Sequence, residues 1–349
     1  MSVASREQER SRQPPRPQRS IEVSIVVPNS DRRDALIACL LALHGQRMDR
    51  FEVILVDNGS RDDSVEQARQ IFSDVRTIVR DRPIGFAAAA NLGLEAARGA
   101  YVAVLNNDAE PDPGWLESVL ETLERDHGFG FAASRVVRRD QPGILDSFGE
   151  GLSLSCFPFQ IGNGVSSTEH FLEPLEVLGA PATAAVYRRE LLRDVGGFDE
   201  GFGSYLEDLD LSFRAQLRGW RCVAIPGARV LHSGHLTTGG TRNGRVVRLL
   251  GRNWVQMLIK SVPGRVLRRT CLGASVTLAR QLARHALKSR HPLQYVLGLA
   301  EGALRTRALL VERAATLGGR RVDDDRLLEL LRASTELLRF TRAHRAKPS

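Results

Sequence analysis

The run Tyr101 to Pro111, YVAVLNNDAEP, carries an apolar stretch into two amides and a carboxylate, Asn106, Asn107 and Asp108, before Pro111 and Pro113 turn the chain. Amides donate and accept hydrogen bonds, and a carboxylate accepts them or meets a cation. In an open α/β sheet, ligands sit beyond the carboxyl ends of the strands, so these three residues would face a crevice. Two other apolar runs end alike: VSIVVP stops at Pro28 and Asn29, and EVILV stops at Asp57 and Asn58. Asp57 could accept hydrogen bonds from a base imide or a ribose hydroxyl; before Gly59 it is equally an ordinary turn former. Asn91, in AAAAN after Gly85, is either a locally satisfied helix residue or stands where small side chains let a backbone approach phosphate or sugar.

A further group lies in YLEDLDLSFR. Leu206, Leu209, Phe213 and Leu217 fall at helical spacing, which places Glu207, Asp208 and Asp210 in a first turn. The positive end of a helix dipole favours an ionised carboxylate there, the state a general base needs, and simple N-terminal helix charge explains the same residues without function. His232 and His235 close a strand that begins near Cys222; neighbouring histidines are more often structural than ligands.

The elements that must position these residues follow a repeat. Strands near Val23–Pro28, Glu52–Val56, Val75–Val79 and Tyr101–Asn106 alternate with helical patterns, which predicts a parallel, doubly wound sheet. A later strand, Ala182–Tyr187, leads to a short helix and the loop GGFDEGF. Gly149 to Glu169 has little periodicity and reads as a partly apolar loop beside an acceptor site.

Of the 349 residues, 245–349 hold 22 Lys or Arg against 7 Asp or Glu, leaving 27 against 34 in 1–244. The front is acidic and the back basic. Cys39, Cys156, Cys222 and Cys271 are widely spaced without a CxxC pair, which argues against a zinc site and fits reduced thiols. Without about 20 consecutive apolar residues or an apolar signal core, the expected location is the cytoplasm. Residues 1–20, polar and rich in Pro and Arg, read as a disordered tail.

Taken together, SIVVPNSDR, VILVDNGSRDDS, RPIGFAAAANLGL and YVAVLNNDAEP resemble the family 2 glycosyltransferases of the GT-A fold, in particular bacterial rhamnosyltransferase-like members, over about residues 22–260. The resemblance implies a Rossmann-like, mostly parallel sheet flanked by helices as a catalytic domain over 21–244, with a helical, basic region over 245–349. It implies that Pro28, Asn29, Asp57, Asn58, Asn91, Asn106, Asn107 and Asp108 bind a nucleotide sugar. The family's DXD triplet falls on Asn106, Asn107 and Asp108, so only Asp108 carries over as an ionic metal ligand, joined by His232, which matches the family's metal-binding histidine better than His235. By position Asp208 matches the catalytic base of inverting members, with Glu207 orienting acceptor or loop. The implied cofactor is Mg²⁺ or Mn²⁺, the implied donor a dTDP-sugar, favoured as dTDP-rhamnose, or a UDP-sugar, and the implied acceptor a cell-surface glycan or its lipid-linked precursor.

From Arg245 to Ala300 there are eleven Lys or Arg and no Asp or Glu. Arg280, Arg284 and Lys288 recur opposite Leu278 and Leu282, a pattern that suits an anionic membrane surface on the cytoplasmic side and equally a helix packing its leucines inward. Few aromatics and no binding motif speak against nucleic acid. Leu327, Leu330, Leu331, Leu337 and Leu338 make a packing or dimer face. Two rivals remain: a nicotinamide-dependent oxidoreductase, against which VVPNSDRRD stands where GxGxxG should follow the first strand, and a binding protein that kept the fold without turnover.

Overall fold

The structure is a computed structural model that describes residues 21–234, 243–288 and 291–346. The expected disordered tail at 1–20 and His235 lie outside the described residues. β1 (Val23–Asn29), α1 (Arg33–His44), β2 (Phe51–Asn58), α2 (Ser64–Ile71), β3 (Arg76–Arg80), α3 (Phe86–Ala96) and β4 (Tyr101–Leu105) follow the expected alternation. Their strands pair in parallel in the order β3-β2-β1-β4. All seven residues of β1 are buried, as a strand covered on both faces requires. The chain order reverses between β1 and β4, the point in open α/β sheets beyond which ligands sit.

The second half widens the sheet with both strand senses. β5 (Ala109–Pro111), α4 (Trp115–Arg125), β6 (Phe129–Arg138), β7 (Leu145–Phe148), β8 (Glu150–Leu152), β9 (Pro158–Gln160), β10 (Leu175–Val177), β11 (Ala184–Arg188), α5 (Arg189–Val195), α6 (Glu207–Leu217) and β12 (Arg221–His232) complete it. β11 runs antiparallel between β4 and β6, whereas β12 runs parallel to β6. The sheet is therefore mixed beyond β4. The stretch read as a loop from Gly149 is instead a packed hairpin, β8 on β9, with Leu152, Cys156, Ile161 and Val165 buried. Its apolar residues lack periodicity because they serve short elements that turn every few residues.

The basic region forms α7 (Gly244–Ser261), α8 (Gly264–Lys288), α9 (Pro292–Leu304), α10 (Thr306–Gly318) and α11 (Asp324–Ala343). One core crosses the 244/245 boundary: Phe202, Leu209 and Phe213 pack with Met257, Val266, Leu327 and Leu331. The leucine face of α11, expected to serve packing or dimerisation, is filled by the chain's own core. Its threonines also cap the hairpin: Thr335 Oγ1 accepts from the Leu154 amide at 2.9 Å and Thr341 Oγ1 from the Gly162 amide at 3.0 Å. In α8, Leu278 packs toward Cys156 and Trp254 while Arg280 and Arg284 face solvent.

Candidate active site

The carboxyl ends of β1, β2 and β4 bring three predicted residues into one hydrogen-bonded row. Register sets Asn29 opposite Asp57. Asn107 Nδ2 donates to Asn29 Oδ1 at 2.6 Å, and Asn29 Nδ2 reaches Asp57 Oδ1 at 3.4 Å and Ser60 Oγ at 3.1 Å. Ser60 also donates its hydroxyl to Asp57. The row fixes the Asp57 carboxylate at a strand end, where turn-forming and ligand-binding roles coincide. Pro28 is a buried strand residue beside it. Asn58 and Asn91 sit differently. Asn58 Oδ1 accepts from the Ile84 amide at 2.8 Å, pinning the loop before α3. Asn91 exchanges two bonds with the Phe198 backbone, at 2.9 and 2.8 Å, so its amide holds the GGFDE loop.

Asn106 is fixed through its backbone, its amide donating to the Thr183 carbonyl at 3.0 Å. Asp108 meets His232, with Oδ1 at 3.3 Å from Nε2, and the Asp108 carbonyl accepts from the Ser233 amide at 3.1 Å. The other ring nitrogen, Nδ1, lies 2.8 Å from Asp146 Oδ2. Sequence reading missed Asp146, which belongs to no motif and reaches the site only because β7 pairs with β6. Burial works to lower the His232 pKa, but the bonds to Asp108 and Asp146 prevail and raise it to about 9.

A carboxylate and an imidazole at this separation suit two ligands of one cation. A carboxylate holding the far nitrogen is the usual support for a metal-bound histidine. Among the described residues no three His, Cys, Asp or Glu side chains converge on a cation site, so such an ion would take its remaining ligands from bound phosphate or water.

Asp208 lies beside the segment that leads into β11. Its Oδ2 accepts from the Ala182 amide at 3.1 Å, one residue before the carbonyl that holds Asn106, and Oδ1 accepts from Leu209 at 2.9 Å. Loss of water around the carboxyl raises its pKa despite those bonds. The helix-dipole expectation is thus outweighed. Glu207 and Glu150, both buried, are raised well above the usual glutamate value by burial first and by the Asp208 charge next. Glu150 came from the unreadable stretch; its Oε1 accepts from Ser212 at 3.0 Å.

Tyr205 and Leu206, just before Glu207, adopt left-handed φ values of 71° and 65°, which side-chain-bearing residues avoid unless held. The support comes from α7. Buried Asn253 donates to the carbonyls of Phe202, Ser204 and Tyr205 at 3.1, 2.9 and 2.6 Å. Lys260 pairs with Asp199 and Asp210, and Asp210 also binds Arg214 at 2.7 Å. Burial alone would raise the Asp210 pKa; Arg214 and Lys260 bring it below the usual value.

The profile of Glycosyl transferase family 2 matches residues 24–196. An N-acetylglucosaminyl-diphospho-decaprenol L-rhamnosyltransferase of Mycobacterium tuberculosis is 30% identical over 212 residues, 54% of this chain and 68% of that protein. The chain belongs to glycosyl transferase family 2. A second family relative, the O-antigen biosynthesis protein RfbC of Myxococcus xanthus, is 30% identical over 221 residues, 60% of this chain; the match spans only 17% of that longer protein. Among solved structures, S. aureus TarS 1-349 aligns with a TM-score of 0.54 at 16% identity, covering 91% of each chain. The Pyrobaculum calidifontis mannosyltransferase PcManGT aligns at 0.51 and 18% identity, covering 90% of this chain and 91% of that one. These establish the fold expected of a family 2 member, with its helical C-terminal region.

Proposed function

We propose that this family 2 chain is an inverting glycosyltransferase that moves a sugar from a nucleoside-diphosphate donor to a hydroxyl of a cell-surface glycan or its lipid-linked precursor. The observation that carries the reading is the bond from the Ala182 amide to Asp208, one residue before the carbonyl that holds Asn106 beside the Asn29–Asp57–Asn107 row. Asp57 receives base or ribose, with Pro28, Asn29 and Asn107 framing it, while Asn58 and Asn91 hold the loops that flank the donor. Asp208 takes the proton of the acceptor hydroxyl as its oxygen attacks the anomeric carbon; the bond to the diphosphate breaks with its electrons on the leaving oxygen. Burial around the carboxyl raises its proton affinity above that of an ordinary aspartate.

Asp108 and His232 would hold Mg²⁺ or Mn²⁺, which when bound supplies positive charge beside the diphosphate. PcManGT was solved with GDP-Man and Mn²⁺, which supports a cation here. The rhamnosyltransferase name of the mycobacterial relative favours dTDP-rhamnose, with a UDP-sugar as the nearest alternative. Work on the cytoplasmic face of a membrane follows from a lipid-linked acceptor. Calorimetric titration with dTDP, UDP, GDP and NAD, each with and without Mn²⁺ or Mg²⁺, tests the donor site. Cation-dependent binding of dTDP or UDP is expected; binding of NAD alone, or of nothing, overturns it.

A further inference from the structure

In water a surface helix turns its bulky apolar side chains inward and its polar ones outward. α9 does the reverse. Its inner face is Tyr295, Gly298 and Gly302, seated so closely on α7 that a methyl at Gly298 would collide with the Arg248 carbonyl and one at Gly302 would lie 2.8 Å from the Arg252 carbonyl. The outer face carries Leu293, Val296, Leu297 and Leu304, which are 65%, 47%, 38% and 86% exposed. Glycines against the neighbouring helix and leucines outward is how helices pack in lipid, where bulky apolar groups need no shelter. The feature extends beyond one helix. Among the described residues, nine of the twelve exposed large hydrophobic side chains fall between Leu272 and Val311, on α8, α9 and α10. Patches of this kind on a soluble surface mark an interaction site.

The charge around the patch selects the partner. Arg280 and Arg284 on α8 are exposed, and His285 of that helix stacks on Tyr295 of α9 with ring centroids 4.4 Å apart, so these arginines border the apolar face. Arg307 follows at the start of α10 and is also exposed. The acidic residues of α8, α9 and α10 are Glu301, which Arg248 already holds, and Glu312, so a second copy would set more arginine than carboxylate against these arginines. Nucleic acid would accept the arginines and leave the leucines wet. An anionic bilayer satisfies both.

Thirteen residues of helix span about 20 Å, less than the roughly 30 Å hydrocarbon core, and no described helix is long and apolar enough to cross a membrane. We infer that α9 lies in the plane of an anionic lipid surface, its Leu293–Leu297–Leu304 face sunk among the acyl chains and Arg280, Arg284 and Arg307 at the headgroups. The inference stands apart from the transferase reading, since it uses no residue of the active site. It also shifts the contact from the Arg280–Lys288 face suggested by sequence to the helix that follows.

Flotation of the full chain with vesicles of phosphatidylcholine and phosphatidylglycerol tests this. The wild type should rise with mixed vesicles and stay below with phosphatidylcholine alone. Leu293→Asn/Leu297→Asn/Leu304→Asn should remain below while keeping its circular dichroism spectrum. Arg280→Gln/Arg284→Gln, which leaves the leucines intact, should weaken partitioning roughly 30-fold. The inference is overturned if the wild type fails to float with anionic vesicles, if the triple-asparagine variant floats as well as wild type, or if light scattering shows a wild-type dimer that this variant dissolves.

Discussion

The two groups of site residues are positioned on different principles. On the strand side, Asn29, Asp57, Asn107 and Asp108 stand where three parallel strands stop, and sheet register sets their positions. On the loop side, Asp208 comes shortly after the left-handed pair Tyr205 and Leu206, and Asn253, some fifty positions later in the chain, holds the carbonyls of Phe202, Ser204 and Tyr205. Register is shared by many bonds, so the strand side tolerates the loss of any one. The loop side depends on a few buried side chains that nothing duplicates. Function should divide in the same way, with binding on the strand side and turnover on the loop side.

The largest expected effect breaks that division most directly. Asp208→Asn should lower kcat by about 10³-fold or more while donor affinity, measured by calorimetry, stays within a few fold. Unchanged turnover would leave a binding protein. Next comes Asn253→Leu, which removes three bonds from the strained turn without touching any residue that meets substrate. It should cost about 10²-fold in kcat and lower the thermal midpoint, with nucleotide binding preserved; equal losses in binding and turnover would merge the two sides. On the strand side, Asp146→Asn should weaken cation affinity by about 10- to 100-fold through the freed His232 ring, read as a shift in the Mn²⁺ titration.

The smallest effect concerns pH. Glu150 holds its proton more tightly folded than unfolded, so its contribution to stability is greatest below the ordinary glutamate pKa of about 4.3 and falls as pH rises above it. Glu150→Gln should therefore narrow the loss of thermal midpoint as pH rises above the ordinary glutamate range, which wild-type and variant melts check directly. Asp208 carries the same sign into activity: the acid limb of kcat/KM should lie above the ordinary aspartate range, with activity lost as pH falls.

The strand side was legible because its residues are local punctuation. An apolar run that ends on Asn or Asp announces both the strand and its end, and the alternation of strands and helices orders them. The helix of Asp208 was equally plain from Leu209, Phe213 and Leu217. What the sequence concealed are partners fixed by tertiary contact alone. Asn253 sits mid-helix beside Trp254 as any polar residue might, and Lys260 reads as one more charge in a basic stretch. Asp146 and Glu150 lie where elements are three or four residues long, too short for a period to show. The upward shift of the Asp208 pKa is hidden for a related reason: a helix dipole can be read from position, whereas exclusion of water depends on what folds over the group.

The bonds that α11 makes to the hairpin give the chain an order of completion. Leu154 and Gly162 emerge from the ribosome long before Thr335 and Thr341, the side chains that receive their amide hydrogens. The strands that form the donor side can pair as they appear, but the hairpin carrying Glu150 and the core around Phe213 wait for α11, made about 180 residues after the hairpin. A nascent chain would thus acquire a nucleotide-binding face well before it could transfer anything, since the loop side is complete only once α11 has followed.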